Sequence, residues 1–321
     1  MADSNSAARK NGRPEVLNSK GAWPFITLLH IRHANGWEEI RHSRLHRKHL
    51  PHVPTWKADL ALVFRSAWMP GELNWWIGVV FALGASLFAL GCVLFLVPST
   101  AQAWNMSELQ ANGVFFLGSI PFSIAAYMQL FKAANVGPML DSKGVDRTAR
   151  VWFGWRPGDA GWLACMLQFL GTILFNFNTF DAMHPGVEWW RQDLLIWVPN
   201  VLGSILFLSS GYLVWIEVCH AHWAWKPGDI SWCVGGINLV GCLAFMISAL
   251  FAFVPPQGFP FEAATLSLVF TLIGAISFFI GALLLLPETA AAHTADSAGH
   301  VGTKLPPDSG LVLQMIPPGI E

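Results

Sequence analysis

Across 321 residues, 54% are hydrophobic and only 12% are charged. Soluble domains carry about 25% charge, so an ordinary water-soluble globule is excluded. The formal net charge is −1, and no nucleic-acid partner is expected. The five cysteines, Cys92, Cys165, Cys219, Cys233 and Cys242, fall in or beside apolar stretches without CxxC spacing. Neither a disulfide framework nor a zinc site is suggested.

Residues 1–67 read as a basic, His-rich cytoplasmic segment. Their longest apolar run is FITLLHI, Phe25 to Ile31, too short for a signal peptide, so the first span is an uncleaved anchor. His30, His33, His42, His46, His49 and His52 lie among arginines. Such a segment reads first as a solvated positive-inside flank. Through residues 30–57 it could also meet anionic headgroups, at about 1 kcal/mol per basic residue. Protonation of its histidines below a pKa of about 6.5 would permit a pH response.

Six apolar stretches follow, at roughly 72–97, 110–131, 159–180, 197–219, 229–254 and 262–286, none with a charge near its middle. Each supplies the ~20 residues a helix needs to cross a bilayer. Eighteen of the 19 Lys and Arg residues flank the even-numbered crossings' inner ends or precede the first span, against Arg191 alone on the other side. The positive-inside rule then puts both termini in the cytoplasm of a plasma membrane.

The spans also repeat. WMPGELNW (Trp68–Trp75), WRPGDAGW (Trp155–Trp162) and WKPGDISW (Trp225–Trp232) share anchor glycines Gly71, Gly158 and Gly228. Thirteen residues on stand Gly84, Gly171 and Gly241, and four further Phe88, Phe175 and Phe245. GSIPF, GSILF and GAISF then begin at Gly118, Gly203 and Gly274. The fold expected is all-α and polytopic: six transmembrane helices in three tandem parallel hairpins. The division is hairpin 1 at 68–135, a cytoplasmic linker at 136–154, hairpin 2 at 155–222, hairpin 3 at 223–288, and a disordered cytoplasmic tail at 289–321. Helices in lipid associate through small residues, so Gly84, Gly171 and Gly241 are expected to face Gly118, Gly203 and Gly274. Glu72, Asp159 and Asp229 are expected to cap the odd spans, with the paired Trp residues straddling the headgroup level.

Chemistry is sparse. The mid-membrane polar residues are Gln168, Asn238, Asn176, Asn178 and Gln129, either bonded between helices or lining a pathway. Glu217 and Glu288 stand at matching positions where the first unit has Lys132, and near the inner span ends they are expected to stay hydrated. In EVCHAHW, Glu217, His220 and His222 could join Asp229 in a metal site, although the spacing is not diagnostic. No GxSxG, P-loop, HExxH or dinucleotide fingerprint occurs in a usable context, so no enzyme activity, cofactor or bound metal is expected.

The motifs WRPGD…W, LGTILFN, LGSILFL and the closing LLLLPE resemble a family of uncharacterised bacterial multi-spanning membrane proteins with YrhK-like domains. The likeness runs over about residues 68–288 and implies the fold and a bacterial inner membrane, but no activity. The leading expectation is therefore a structural or sensory membrane protein with a basic cytoplasmic arm and a partner that the sequence does not name. The alternative is a small-solute transporter or channel with a pathway between the hairpins. A closed bundle with bonded amides would fit the first, and a cavity at their depth the second.

Overall fold

The computed structural model describes residues 14–50, 60–137, 139, 150–184, 188–256 and 261–297. It begins with a feature that hydropathy does not signal, a three-stranded antiparallel sheet of β1 (Glu15–Lys20), β2 (Leu28–Arg32) and β3 (Glu38–His42). Ala34, Asn35 and Gly36 turn β2 into β3, with Gly36 at φ 85°, where a side chain would be strained. The short helices α1 (Ser43–Lys48) and α2 (Leu60–Ser66) follow.

The chain is an all-α, multi-pass integral membrane protein, because six helices are long and apolar enough to cross a bilayer. They are α3 (Leu73–Leu96), α5 (Glu108–Ala134), α6 (Ala160–Asp181), a composite helix from Trp189 to Cys219, α9 (Ile230–Phe251) and α10 (Phe261–Ser297). Helix α4 (Pro98–Ala103) links the first two. The composite helix comprises α7 (Trp189–Gln192), a π turn (Asp193–Trp197) and α8 (Val198–Cys219). Pro199, in the first turn of α8, has no N–H to give back to Leu195, and the backbone widens there.

Each span packs against its neighbours in the chain, and α10 returns to pack against α3. The six helices therefore close into a ring. Gly84 and Gly118 draw two of them together: a methyl on Gly84 would lie 2.9 Å from the Gly118 carbonyl oxygen. Gly171 meets Gly203 and Gly241 meets Gly274 in the same way, at 3.2 and 3.3 Å. Without hydrophobic exclusion to hold helices together in lipid, such close backbone approach supplies the dispersion contact that does.

The inside of the ring is filled from both partners of each glycine contact. Phe88, Phe122, Phe175, Phe207, Phe245 and Phe278, one from each spanning helix, are all buried and meet in a connected cluster of edge-on and tilted rings. Centroid separations run from 5.0 Å for Phe175–Phe207 to 6.1 Å for Phe88–Phe245, the spacing at which ring quadrupoles attract. These phenylalanines plug the axis of the bundle.

The last helix runs past the expected end of the third hairpin. Residues 289–297 continue α10, with Thr289 bonding back to the Leu285 carbonyl, so a disordered tail does not begin at 289. Residues 298–321, and most of the expected linker at 138 and 140–149, lie outside the described residues.

Candidate functional site

The helix α1 places Arg44, Arg47 and Lys48 at i, i+3 and i+4, hence on one face. Leu45 and Leu50 pack instead against Ala292. The cationic face does not meet solvent. It enters the open end of the ring, where all three side chains are buried.

Their partners are the two carboxylates expected to be hydrated. Glu217 and Glu288 are both 0% exposed, which overturns that expectation. Arg47 donates from Nη2 to Glu217 at 2.8 Å, and Ser43 adds a hydroxyl bond to the same carboxylate at 2.7 Å. Arg44 donates twice to Glu288, at 3.0 and 3.2 Å, while Lys48 and Ser231 complete that carboxylate's shell. A buried ion costs several kcal/mol to desolvate, and only a saturated shell of this kind makes it tolerable. Burial opposes the Arg47 charge, but Glu217 beside it outweighs that and raises the guanidinium pKa. For Lys48 the balance goes the other way. Burial, and then the charge of Arg44, pull the ammonium down to about 7 despite Glu288.

The rest of the arm is sewn down by polar bonds. Asn74 donates to the Lys48 carbonyl at 3.0 Å, His46 to that of Gly137 at 2.9 Å, and Arg41 to that of Met139 at 2.8 Å. Thr27, His220 and His42 form a chain with contacts of 3.0 and 2.9 Å. Burial, with Lys226 nearby, lowers the His42 pKa to about 4, and burial with His42, Lys226 and Lys20 lowers that of His220 further. Both rings are thus neutral at pH 7. The arm is a docked unit, not a solvated flank.

Among the described residues, several of its basic side chains are spent inside the protein. His30 and Arg32 pair with Glu38, and His33 and Arg41 with Glu39. Of the segment 30–57 expected to meet anionic headgroups, residues 51–57 lie outside the described residues.

Beneath α1 lies a cavity of about 50 Å³ on the bundle axis. Arg44, Arg47 and Lys48 form its roof, Gln129, Gln168 and Asn238 its walls, and Phe81, Phe207 and Phe278 its floor. Space of this size holds a few waters. The structure thus brings together three of the five amides singled out in the sequence. Among the described residues, no hydrogen bond ties Gln129, Gln168 or Asn238 to another side chain or backbone group. Asn176 and Asn178 are elsewhere: Asn176 donates to Ser123 at 2.8 Å and Asn178 to the Ile196 carbonyl at 2.7 Å. Those two tie neighbouring helices together.

The repeated tryptophan phrases also differ in part from expectation. Asp159 caps α6 through the N–H groups of Gly161 and Trp162, and Asp229 caps α9 through that of Ser231. Glu72 stands at the N-cap of α3, the place expected of it, but its side chain makes no capping bond. Its longer arm carries the carboxylate past the N–H groups, to 3.5 Å from His293. The second Trp of each phrase turns inward: Trp75, Trp162 and Trp232 donate their indole N–H to the carbonyls of Ser66, Phe153 and Ala224. Only the first, Trp68, Trp155 and Trp225, stays broadly exposed, resting edge-on against its partner.

The donors of EVCHAHW do not converge. Glu217 faces Arg47, His220 faces His42, and His222 bonds Tyr212 at 2.8 Å; among the described residues no cluster of three metal-ligating side chains occurs. Sequence reasoning missed the partnership of α1 with Glu217 and Glu288. A signal existed: two acids at matching positions in an end otherwise crowded with cations.

Comparison with family models, with curated proteins and with solved structures gives no match.

Proposed function

We propose that this chain is a small-solute transporter or channel of the bacterial inner membrane, described with its pathway shut at two levels. The observation that carries this reading is the axial cavity with its three amides unbonded to protein, closed by the α1 cations at one end and the phenylalanine plug at the other. Bonded amides in a filled core would have favoured a purely structural bundle. In this reading the arm lies in the cytoplasm, following the distribution of Lys and Arg. The chain is read as three parallel hairpins, in keeping with the motif resemblance to YrhK-like proteins. No enzymatic step is assigned.

The test is solute flux into liposomes holding the purified protein. Glu217→Gln with Glu288→Gln removes both carboxylates that hold α1. That variant still holds the phenylalanine plug and is expected to leak at most slowly, whereas the further change of Phe245 to Ala is expected to pass small solutes that the parent excludes. If every variant remains tight while the arm is demonstrably released, the pathway reading fails.

One observation favours the sensory reading of the same arm. His42 and His220 join arm to bundle and are held neutral by burial, so acidification charges the junction. Release of the arm would then be the signal itself.

A further inference from the structure

The buried cluster has unequal charge. Three cationic heads, Arg44, Arg47 and Lys48, face two carboxylates, Glu217 and Glu288, which leaves one positive charge over. A further cation, Lys132, borders a smaller void of about 10 Å³ that also touches Arg47, Lys48 and Gln129. Other carboxylates of this end are directed elsewhere: Asp159 and Asp229 serve their own helix N-termini, and Glu72 lies beside His293. Among the described residues no carboxylate lines the axial cavity. The cavity thus meets cations from above and unbonded amide groups from the walls.

An uncompensated cation buried in this way is expensive, and it can be relieved in only two ways. Lys48 gives up its proton, or a counter-ion joins it. The cavity provides the room and the donors for the second. We propose that the axial cavity binds one small monovalent anion of about chloride's size, held by Lys48 with Arg44 and Arg47 from the roof and by the amide N–H groups of Gln129, Gln168 and Asn238 from the walls. The proposal deepens the pathway reading, in that it names the solute class of that site, but binding can be measured without flux.

Burial of Lys48 beside Arg44 supports it, because an ammonium already easy to deprotonate must hold its proton more tightly once an anion sits next to it. Arg44, Arg47, Glu288, Glu217 and Lys132 are the charged groups around it, and burial draws Lys48 down to about 7. Anion binding is therefore coupled to proton uptake. Affinity should be level between about pH 6.5, where the arm is fully docked, and about pH 7, and fall about tenfold per pH unit above that.

The experiment uses the full-length protein in detergent with gluconate as the sole anion, and titrates chloride while the melting temperature is followed. A saturable rise is expected with chloride, and none with sulfate, which is too large and doubly charged. Lys48→Met keeps Glu288 paired with Arg44 and should still fold but lose the response. Lys48→Arg should keep chloride binding and lose its pH dependence. Gln168→Leu with Asn238→Leu should weaken chloride about tenfold or more at unchanged fold, judged by size-exclusion elution. A chloride effect that is not saturable, or that persists unchanged in Lys48→Met, overturns the proposal. Flux of glycerol through the arm-released protein without chloride binding leaves the pathway and removes the anion site. Saturable chloride binding with no flux of any solute does the reverse.

Discussion

The two layers that close the bundle are built from opposite materials. At the end that receives the arm, closure rests on five charged side chains drawn from α1, α8 and α10, separated by 170 to 244 positions in the chain. Deeper along the axis, closure rests on six phenylalanines with no charged group among them. An ionic closure is strong only while every partner is present, and it responds to pH and to counter-ions. An aromatic plug responds to neither. The molecule therefore has one layer that pH and counter-ions can address and one that only a rearrangement of helices can change.

The largest effect should come from taking one partner out of the ionic layer. Glu288→Gln strands Arg44 and Lys48 beside a neutral amide, and loss of a buried partner costs about 3–5 kcal/mol. A fall of several degrees in melting temperature is expected, with new protease cleavage in the arm. If the arm stays protected and stability is unchanged, the ionic layer does not hold it. A smaller loss is expected in the plug. Phe245 touches Phe88, Phe175 and Phe278, so Phe245→Ala leaves a gap on the axis. Large core truncations cost about 3–5 kcal/mol in water-soluble proteins, and in lipid only the packing part of that remains. The loss should be identical at pH 5 and pH 8, which separates the two layers cleanly.

This contrast also explains what could be read in the sequence. The plug was legible in outline, because glycine and phenylalanine recur at fixed offsets within single helices, and helical geometry converts such spacing into faces. The spans were legible because a bilayer demands long apolar runs. The arm was not. Its sheet is held by alternating short strands of mixed polarity, and its cations find their partners only after the ring has assembled. Nothing local to Glu217 or Glu288 distinguishes a hydrated carboxylate at a span end from one covered by a returning helix. Gln129, Gln168 and Asn238 fell between these cases: their depth was evident from the sequence, whereas their convergence on one cavity depended on the ring closing.

A third effect is set by pH at the edge of the ionic layer. His42 and His220 have folded-state pKa values depressed below the ordinary 6.5, that of His42 to about 4. Between about pH 4 and 6.5 the released arm binds more protons than the docked one, so docking is at full strength above about 6.5 and weakens as pH falls through that window. The slope is at most about 1.4 kcal/mol per pH unit for each ring. Lys226 and Lys20 stand nearby and add repulsion once a ring is charged. Protease sensitivity of the arm should rise between pH 7 and pH 5, and His220→Gln should flatten that rise. An arm equally protected at both pH values would mean that the histidines remain neutral through other contacts.

The smallest effect distinguishes three copies of one phrase. Asp159 and Asp229 accept backbone N–H bonds at the start of their helices, and Glu72 at the corresponding place accepts none. Loss of a working N-cap costs about 1 kcal/mol, so Asp159→Ala and Asp229→Ala should each lower the melting temperature slightly and reproducibly. Glu72→Ala should leave it unchanged, apart from the contribution of the His293 contact. Equal losses at all three positions, measured at pH 8, would mean that Glu72 caps its helix after all. Unequal losses would mean that the three phrases, alike in sequence, have been divided between capping and a contact with the last helix, the difference being one methylene in the side chain.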